Sequence, residues 1–394
     1  MSGTVARRAI VASSVGGGPM ERLARDWPDG AGRCEVHALY SPERYRALMA
    51  AGAWGRLRAR CGAYLYYPLR VAWAALWRRP AVWVPTTNPF FLPFVLVATR
   101  FLHRQPVVAL VYDLYPDALE AAGGRAPRGP LVGLVGAFNR FLFRRANGLV
   151  FIGERMAEHA RGRYGEPRRW TILETGASLA ELGDPALRED PPRSDLERWC
   201  EGRTVFSYVG NMGLLHDWET LARAAPLLLA RAPAARPPGF VVAASGPGVE
   251  RLREAWKDLP PEAVRFEPPL GDEPWARLLA RSSVSLTTLT DAARLTCVPS
   301  KAFSAMAARN AVLAVAPAGS DLADLVERRH CGAVVAPGQA EALAGAMLAY
   351  LREPERLELH RARAQEAVRE HYDMPRLAEK WRDFIDACTG RPDA

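Results

Sequence analysis

Short apolar runs alternate with helical patterns along the whole chain, and this rhythm limits the possible folds more than any other feature. The first half contains AIVASS at 9–14, PVVALVYD at 106–113 and GLVFIG at 148–153. The second half repeats the rhythm with TVFSYVG at 204–210 and GFVVAASG at 239–246. Apolar strands that alternate with helices are typical of parallel sheets covered by helices. The sequence therefore predicts an α/β fold.

A chain of 394 residues is too long for one ordinary domain. We predict two Rossmann-like lobes that face a central cleft, an N-terminal lobe over 1–185 and a C-terminal lobe over 203–372. The segment 186–202 is rich in Pro, Asp, Glu and Arg and is predicted to be a linker. A terminal helix within 373–394 is expected to pack back on the first lobe.

Glycines follow three of the predicted strands. They are Gly16 and Gly17 after the first strand, Gly210 and Gly213 after the strand that opens the second lobe, and Gly246 after VVAAS. Open parallel sheets bind ligands beyond these strand ends, where glycine lets backbone N–H groups approach a phosphate. A βα turn also uses glycine for steric reasons alone, so each cluster is a weak signal by itself. No GxGxxG with a trailing acidic residue appears, which argues against NAD.

A Pro-Ser-Lys sequence precedes the helical pattern AFSAMAA at 302–308. Ser300 can cap the N-terminus of this helix, and the free N–H groups there suit a diphosphate. Lys301 would add a full positive charge at the same place, and the chain has only two other Lys, Lys257 and Lys380. The alternative is a solvated lysine at a helix start.

Residues 44–79 contain eight Arg and seven Tyr or Trp but no Asp or Glu. The apolar part of this segment is too short to cross a bilayer, whereas Arg-flanked aromatic residues suit a membrane interface. The net charge of +9 fits an anionic partner, although the excess of Arg over Lys also fits a GC-rich genome. We predict membrane contact through Arg56, Arg58, Arg60, Trp73 and Trp77.

Other features favour the cytoplasm. The six Cys are scattered without a CxxC pair, so neither a zinc ribbon nor a disulfide framework is readable. The N-terminus lacks the layout of a signal peptide, and no uncharged apolar run reaches the roughly 18 residues of a membrane span. We expect a cytoplasmic protein that is peripheral on the inner face of the cell membrane.

A set of passages in a fixed order carries a family resemblance over most of the chain. They include SSVGGG, VYDLYPD, FIGERMAEHARGRYG, YVGNMGLLHDWETLARA, FVVAASGPGVERLREA, VPSKAFSAMAARNAVLAVA and HCGAVVAPG. With these passages the chain resembles the retaining GT-B glycosyltransferases of family 4, especially the bacterial branch that builds capsule, O-antigen and exopolysaccharide. The resemblance implies an N-terminal acceptor lobe and a C-terminal lobe that binds a nucleotide sugar.

The resemblance also implies roles for individual residues. Asp113 and Lys301 would be catalytic, and Tyr112 stands where the family often has His beside this Asp. Family members usually carry Glu at the positions of Thr296 and Ser304, so these departures leave donor identity open and raise the alternative of an inactive homologue. The residues implied at the donor are Gly16, Gly17, Gly210, Asn211, Gly213, Gly246, Pro269, Leu270, Thr296, Pro299, Ser300 and Ser304.

The function implied is transfer of a sugar, with retention, from a UDP-sugar or GDP-sugar to a lipid-linked glycan at an anionic membrane surface, with UDP favoured. We expect no cofactor and no metal, because Lys301, a helix N-terminus and glycine turns would neutralise the leaving diphosphate and no DxD motif stands at a strand end. Two alternatives stay open, a sugar-nucleotide 2-epimerase of the same fold and a non-catalytic scaffold or binding protein. Nucleic-acid binding is not expected, because no recognised module appears.

Overall fold

The computed structural model describes residues 9–28, 33–78, 80–121 and 130–390. The chain divides into two compact units, unit 1 with residues 1–175 and 374–394 and unit 2 with residues 176–373. Residues 1–8, part of the N-terminal stretch that lacks the layout of a signal peptide, lie outside the described residues, as does Arg79 at the end of the 44–79 segment.

Unit 1 is built on short parallel strands. These are β1 (Ala9–Ala12), β2 (Cys34–His37), β3 (Val82–Pro85), β4 (Val108–Val111), β5 (Gly148–Phe151) and β6 (Trp170–Ile172). One sheet has the order β2-β1-β3 and the other β4-β5-β6. Parallel bridges from Trp83 to Val107 and from Thr86 to Leu110 connect β3 to β4. The chain adds β2 on one side of β1 and then β3 on its other side. Doubly wound sheets bind ligands in the crevice at such a change of side, here beside β1 and β3.

The helices of unit 1 that precede residue 175 are α1 (Pro19–Arg25), α2 (Pro42–Ala50), α3 (Gly52–Cys61), α4 (Tyr67–Trp77), α5 (Leu92–Ala98), α6 (Arg100–His103), α7 (Asp117–Ala121), α8 (Pro130–Arg145) and α9 (Glu154–Tyr164). A π-helical turn over Gly62–Tyr66 joins α3 to α4, so residues 52–77 form one long helix. Its buried residues recur every four positions, which is the spacing of one helix face. These residues are Ala59, Ala63, Tyr67, Val71 and Ala75, and Pro68 beside Tyr67 is also buried.

Unit 2 contains one six-stranded parallel sheet. Its strands are β7 (Thr204–Asn211), β8 (Pro238–Ser245), β9 (Val264–Glu267), β10 (Val284–Thr288), β11 (Ala311–Val315) and β12 (Gly332–Val335). The order β12-β11-β10-β7-β8-β9 is the arrangement of Rossmann folds. Strands β8 and β9 are added on one side of β7, and β10, β11 and β12 are then added on its other side. Ligands of such sheets bind beyond the carboxyl ends of β7 and β10.

Helices cover both faces of the unit 2 sheet. They are α10 (Leu179–Leu182), α11 (Ala186–Glu189), α12 (Asp195–Cys200), α13 (Glu219–Leu229), α14 (Pro247–Ala255), α15 (Asp272–Arg281), α16 (Lys301–Ala307), α17 (Asp321–Arg329), α18 (Ala340–Arg352) and α19 (Pro354–Ala367). One core packs α13, α14 and α18 around Phe206 and Phe240, and the other packs α16, α17 and α19 around Phe303. The predicted α/β class with two Rossmann-like parallel sheets is confirmed within each unit.

The segment predicted to be a linker, 186–202, is part of unit 2, and the boundary between the units lies after Thr175 rather than after residue 185. The segment forms α11 and α12, which pack on α15. Glu197, which is 5% exposed, accepts hydrogen bonds from Arg277 Nε at 2.8 Å and Nη2 at 2.5 Å. The charged composition that suggested a solvated linker instead supplies a buried ion pair.

Arg277→Ala should lower the free energy of unfolding of unit 2 by about 3–5 kcal/mol, because it removes the main cationic partner of the buried Glu197 carboxylate. Arg198→Ala is the matched control, since it breaks the exposed ion pair with Asp195 and should cost less than about 1 kcal/mol. Chemical denaturation of both variants measures the difference. Equal losses would mean that 186–202 does not stabilise unit 2 through this pair.

The last helix, α20 (Met374–Thr389), belongs to unit 1 and contacts α1. A side chain at Gly148 would lie 2.5 Å from Cys388 Sγ and 2.9 Å from the Phe384 ring. The start of β5 therefore needs glycine where α20 crosses it. The C-terminal helix packs on the first unit, as the sequence led us to expect.

Candidate functional site

The last two residues of β7, Gly210 and Asn211, begin a glycine turn beside the point between β7 and β10 where the strand order of the unit 2 sheet changes side. Gly210 has a φ of 106°, a conformation that favours glycine. Asn211, the next residue, is exposed, and its carbonyl oxygen and side chain lie at the carboxyl edge of the sheet. The turn therefore presents backbone at the edge where this class of sheet binds ligands.

Lys301, the first residue of α16, reaches this turn. Its Nζ donates hydrogen bonds to Tyr208 Oη at 2.7 Å and to the Asn211 carbonyl oxygen at 2.8 Å. The same atom lies 4.2 Å from the centre of the Tyr208 ring, within cation–π range. Gly210 is also close, because a Cβ there would lie 4.0 Å from Lys301 Cε. The structure thus brings together three residues that the sequence assigned to the donor site.

The ammonium of Lys301 loses its proton near neutral pH. Desolvation by burial lowers the pKa of its ammonium to about 7. Burial and then the positive charge of Lys301 lower the pKa of His216, on the same turn, to about 3. His216 is therefore neutral at physiological pH. An anion bound beside Lys301 would favour its charged form and raise its pKa.

Ser300 does not cap α16, which corrects the sequence prediction. Its backbone is helical, with φ −60° and ψ −24°, and its side chain makes no capping hydrogen bond. A capping residue normally adopts an extended backbone, which directs its oxygen at the helix N–H groups. Ser300 is exposed, whereas Pro299 before it is buried. Lys301, rather than a serine cap, supplies the polar contact at this end of the helix.

The turn after β7 and the turn after β8 are packed together. A Cβ at Gly246 would lie 2.6 Å from the Met212 carbonyl oxygen and 2.7 Å from Asn211 Oδ1. Gly246 also has a φ of 112°. At Gly213 a Cβ would lie 3.0 Å from Asn211 Nδ2. These three predicted donor residues therefore share one surface, and any side chain at Gly246 would separate the two turns.

The remaining predicted donor residues of unit 2 lie in or just before α16 and in the loop after β9. Thr296 precedes α16 and is buried, and its hydroxyl has no hydrogen-bond partner among the described residues. Ser304 is half-buried inside α16. Pro269 is exposed in the loop after β9, and Leu270 packs partly against Leu278. No hydrogen bond or ion pair among the described residues joins the loop after β9 to Lys301.

A cavity of about 380 Å³ opens in unit 2 beside the same glycine turn. This volume lies within the range of small-molecule sites. Of the predicted residues its lining includes only Gly213. The other lining residues carry no motif in the sequence, because they are ordinary residues of loops and of the first turns of α13 and α14. The charge of the cavity is mixed, since the lining includes Arg223 and Arg251 together with Asp217, Glu219 and Asp291. The lining also includes His216, Trp218, Thr220, Gly248 and Gly338.

The glycine turn of unit 1 is in contact with a carboxylate from α1. The Gly17 N–H, expected to face a donor phosphate, donates a hydrogen bond to Glu21 Oε1 at 2.7 Å. A Cβ at Gly16 would lie 2.9 Å from the same carboxylate oxygen, and one at Gly17 would lie 2.5 Å from Pro42 Cγ. A phosphate at Gly17 would have to displace this carboxylate. The turn is glycine-rich because the chain is crowded there.

Asp113 follows β4 in a loop that is fixed by Thr87. The Thr87 hydroxyl accepts hydrogen bonds from the N–H groups of Tyr112 at 3.0 Å and Asp113 at 3.1 Å. Asp113 is exposed, and desolvation by the surrounding protein raises the pKa of its carboxyl. The second aspartate of VYDLYPD, Asp117, is buried and accepts hydrogen bonds from His159, Arg163 and Tyr164. Asp113 is therefore the carboxylate of this loop that is open to a ligand.

The predicted membrane-contact residues all lie on the exposed face of the long helix over 52–77. Trp73 is 64% exposed and Trp77 is 72% exposed. Arg56, Arg58 and Arg60 are also exposed, and no ion pair among the described residues involves them. Within the described ranges, no helix has both the length and the apolarity to cross a membrane. The further exposed apolar residues of this helix are Trp54, Leu57, Leu65, Tyr66, Leu69 and Leu76.

Comparison with known proteins agrees with this geometry. Residues 203–353, most of unit 2, match the family model "Glycosyl transferases group 1". A probable glycosyltransferase, WbjE of Pseudomonas aeruginosa, is 28% identical over 269 residues, which are 68% of this chain. The match spans 65% of the length of that relative. Within the part of the chain that the structure describes, no group of three or more His, Cys, Asp or Glu could hold a metal ion.

Solved structures share the whole fold. HepE of Anabaena, crystallised in complex with UDP-glucose, has a TM-score of 0.68 at 14% identity and covers 97% of this chain and all of its own. Sucrose-phosphate synthase of Thermosynechococcus elongatus has a TM-score of 0.66 at 15% identity, with 98% of this chain and all of its own covered. The fold is that of the GT-B glycosyltransferases. The family match over 203–353 and the match to WbjE do not favour the epimerase alternative.

Proposed function

We propose that this chain is a glycosyltransferase that takes its sugar from a nucleotide-diphosphate donor, preferably a UDP-sugar. The observation that carries the proposal is the position of Lys301. Its Nζ lies 2.8 Å from the Asn211 carbonyl oxygen at the carboxyl end of β7, where the strand order changes side. The family match over 203–353 covers this site, and the bound UDP-glucose of HepE supports the choice of UDP.

The chemistry needed at this site is neutralisation of charge. When the bond from the anomeric carbon to the diphosphate breaks, negative charge grows on the departing phosphate. Cations and dipoles that are already in position stabilise such charge best. Lys301 would supply a full positive charge. At Gly210, Asn211 and Gly213 the backbone would approach the diphosphate closely. Asp113 would orient a hydroxyl of the acceptor or of the transferred sugar.

The finer features of the reaction are part of the same proposal. We infer that transfer proceeds with retention and without a metal, as the family resemblance implies. The missing family glutamates at Thr296 and Ser304 support the competing interpretation, a donor-binding protein without activity. A donor screen that records both binding and nucleotide release separates the two, because only an enzyme releases UDP when an acceptor is present.

The acceptor is proposed to be a lipid-linked glycan on the cytoplasmic face of an anionic membrane. The support is the exposed face of the helix over 52–77, where Trp54, Trp73 and Trp77 stand beside unpaired arginines. Tryptophan and arginine are the residues that settle at a lipid headgroup region. The chain would then be a peripheral membrane protein.

Affinity for UDP-glucose should fall as the pH rises above about 7. The diphosphate of this ligand keeps its charge in that range, whereas Lys301, with a pKa of about 7, loses its proton. Below about pH 7 the site is cationic and affinity is at its full value. Above it, the dissociation constant should rise up to about tenfold per pH unit, because binding must then be coupled to proton uptake. Calorimetric titration between about pH 6 and pH 9 measures this slope.

Lys301→Arg is the control for this slope, since a guanidinium stays charged throughout the range. The variant should bind UDP-glucose with an affinity that is nearly independent of pH. A wild-type protein whose affinity does not change with pH would remove Lys301 from donor binding.

A further inference from the structure

The phenol of Tyr208 lies at the centre of the polar contacts around Lys301. Its hydroxyl oxygen accepts a hydrogen bond from Lys301 Nζ at 2.7 Å. The same hydroxyl donates to the Asn211 carbonyl oxygen at 3.2 Å, and Lys301 Nζ donates to that oxygen at 2.8 Å. The phenol, the ammonium and the carbonyl group therefore form a closed triangle, in which the phenol is both donor and acceptor.

The ring of Tyr208 is fixed by the core of unit 2. It is fully buried in the core that contains Phe206 and Phe240, so the hydroxyl cannot leave the triangle without disturbing the packing. Burial raises the pKa of this phenol far above its usual range. The hydroxyl therefore keeps its proton near neutral pH and donates to Asn211 as a neutral group.

The other groups around Lys301 are also uncharged. His216, before α13, is neutral because burial and the charge of Lys301 lower its pKa to about 3. Cys297, four residues before Lys301, acts electrostatically on both Lys301 and Tyr208 and raises the pKa of each. Among the described residues, no carboxylate forms an ion pair with Lys301. Neutral oxygens hold the ammonium, so its whole charge is available to an anion.

We infer that Tyr208 is a positioning residue of the donor site, whose hydroxyl keeps Lys301 at the turn while N–H groups of the ammonium bind oxygens of the donor diphosphate. This inference rests on the proposed transferase function and concerns the same site. An ammonium has three N–H groups, and Tyr208 and Asn211 accept from two of them. The third can turn to a phosphate, and the one on Asn211 can follow, because the phenol still donates to that carbonyl oxygen.

Tyr208→Phe removes the hydroxyl and keeps the ring whose centre lies 4.2 Å from Lys301 Nζ. A hydrogen bond to the charged form of a group stabilises that form, so its loss should lower the pKa of Lys301 by about one pH unit. The chain has only three lysines, so NMR of protein labelled with ¹³C at the lysine ε-carbon follows each of them through a pH titration. This measurement needs neither donor nor acceptor.

Tyr350→Phe is the matched control. Tyr350 is fully buried in the same core as Tyr208, and its hydroxyl is hydrogen-bonded to His360 Nδ1 at 2.8 Å. Both variants thus lose a buried tyrosine hydroxyl from one core, but only Tyr208→Phe should move the titration of Lys301. Equal titrations of Lys301 in the two variants would overturn the positioning role.

Binding of UDP-glucose, measured by calorimetry at about pH 8, connects this role to the donor. Tyr208→Phe should weaken binding up to about tenfold, since a pKa lower by one unit leaves about a tenth as much charged Lys301 at that pH. Tyr350→Phe should stay within about twofold of the wild-type protein. In a Lys301→Ala background Tyr208→Phe should cause no further loss, because a positioning residue acts through the residue that it holds.

A loss in the Lys301→Ala background as large as in the wild-type background overturns the inference, because Tyr208 would then act without Lys301. Unchanged titration of Lys301 in Tyr208→Phe, together with normal binding of UDP-glucose by the wild-type protein, overturns the role of Tyr208 and leaves the proposed function standing. Absence of UDP-glucose binding by the wild-type protein is the opposite case. It contradicts the proposed function, and the role of Tyr208 in donor binding with it, whatever the lysine titration shows.

Discussion

Lys301→Ala is expected to lower donor turnover at least about 100-fold while the fold stays intact. Removal of one preorganised group that stabilises a developing oxyanion costs a factor of about 100 to 1,000 in rate. Lys301 would be such a group, because its Nζ is already held at the turn after β7 by Tyr208 and Asn211. Release of UDP in the presence of acceptor, followed over a range of donor concentrations, gives kcat/KM for both proteins.

The chain offers a matched control for this substitution. Lys257 is exposed and pairs with Glu254 on the surface, so Lys257→Ala should leave turnover within about twofold. Lys301→Arg keeps the charge and should recover part of the lost rate. Circular dichroism checks the fold of each variant. Near-normal turnover in Lys301→Ala would remove this residue from the mechanism.

Replacing Arg56, Arg58 and Arg60 with Glu together should release the protein from anionic membranes. Each arginine near a charged leaflet contributes about 1 kcal/mol, so loss of three lowers binding on the order of 100-fold, and the new carboxylates add repulsion. These arginines lie on exposed surface and have no described ion pair that the change would break. Sedimentation with vesicles of phosphatidylglycerol and phosphatidylcholine measures the bound fraction.

Arg352, Arg363 and Arg369 provide the charge-matched control, because they are exposed in unit 2 and far from the 44–79 segment in sequence. Their replacement with Glu changes the net charge equally and should leave vesicle binding within about threefold. Equal release by both triple variants would mean that net charge, not this helix, holds the protein to the membrane. Retention of the first variant on vesicles would contradict the interfacial role altogether.

The strands and their glycine turns could be predicted from the sequence because each feature is local. A buried parallel strand is a run of apolar residues, as in Val205 to Val209, and the turn after it needs glycine at Gly210. The rarity of lysine singled out Lys301, and the structure brings it to that turn. The contacts of Lys301 with Tyr208 and Asn211 could not be predicted from the sequence, because they depend on how α16 packs against the sheet.

Other predictions failed where tertiary structure decides the outcome. A serine before a helix is a sound capping signal, but the backbone of Ser300 is helical and cannot direct its oxygen at the N–H groups. The charged segment 186–202 was predicted to be a linker because its own sequence does not show that Glu197 pairs with Arg277, which lies far along the chain. In each case the deciding partner or angle is invisible in the local sequence.

A structure of the protein with bound UDP tests the central claim most directly. The account predicts a phosphate oxygen within about 3 Å of Lys301 Nζ, with the diphosphate against the turn formed by Gly210 and Asn211. The claim is contradicted if ordered UDP lies elsewhere while Lys301 still donates to both Tyr208 and Asn211.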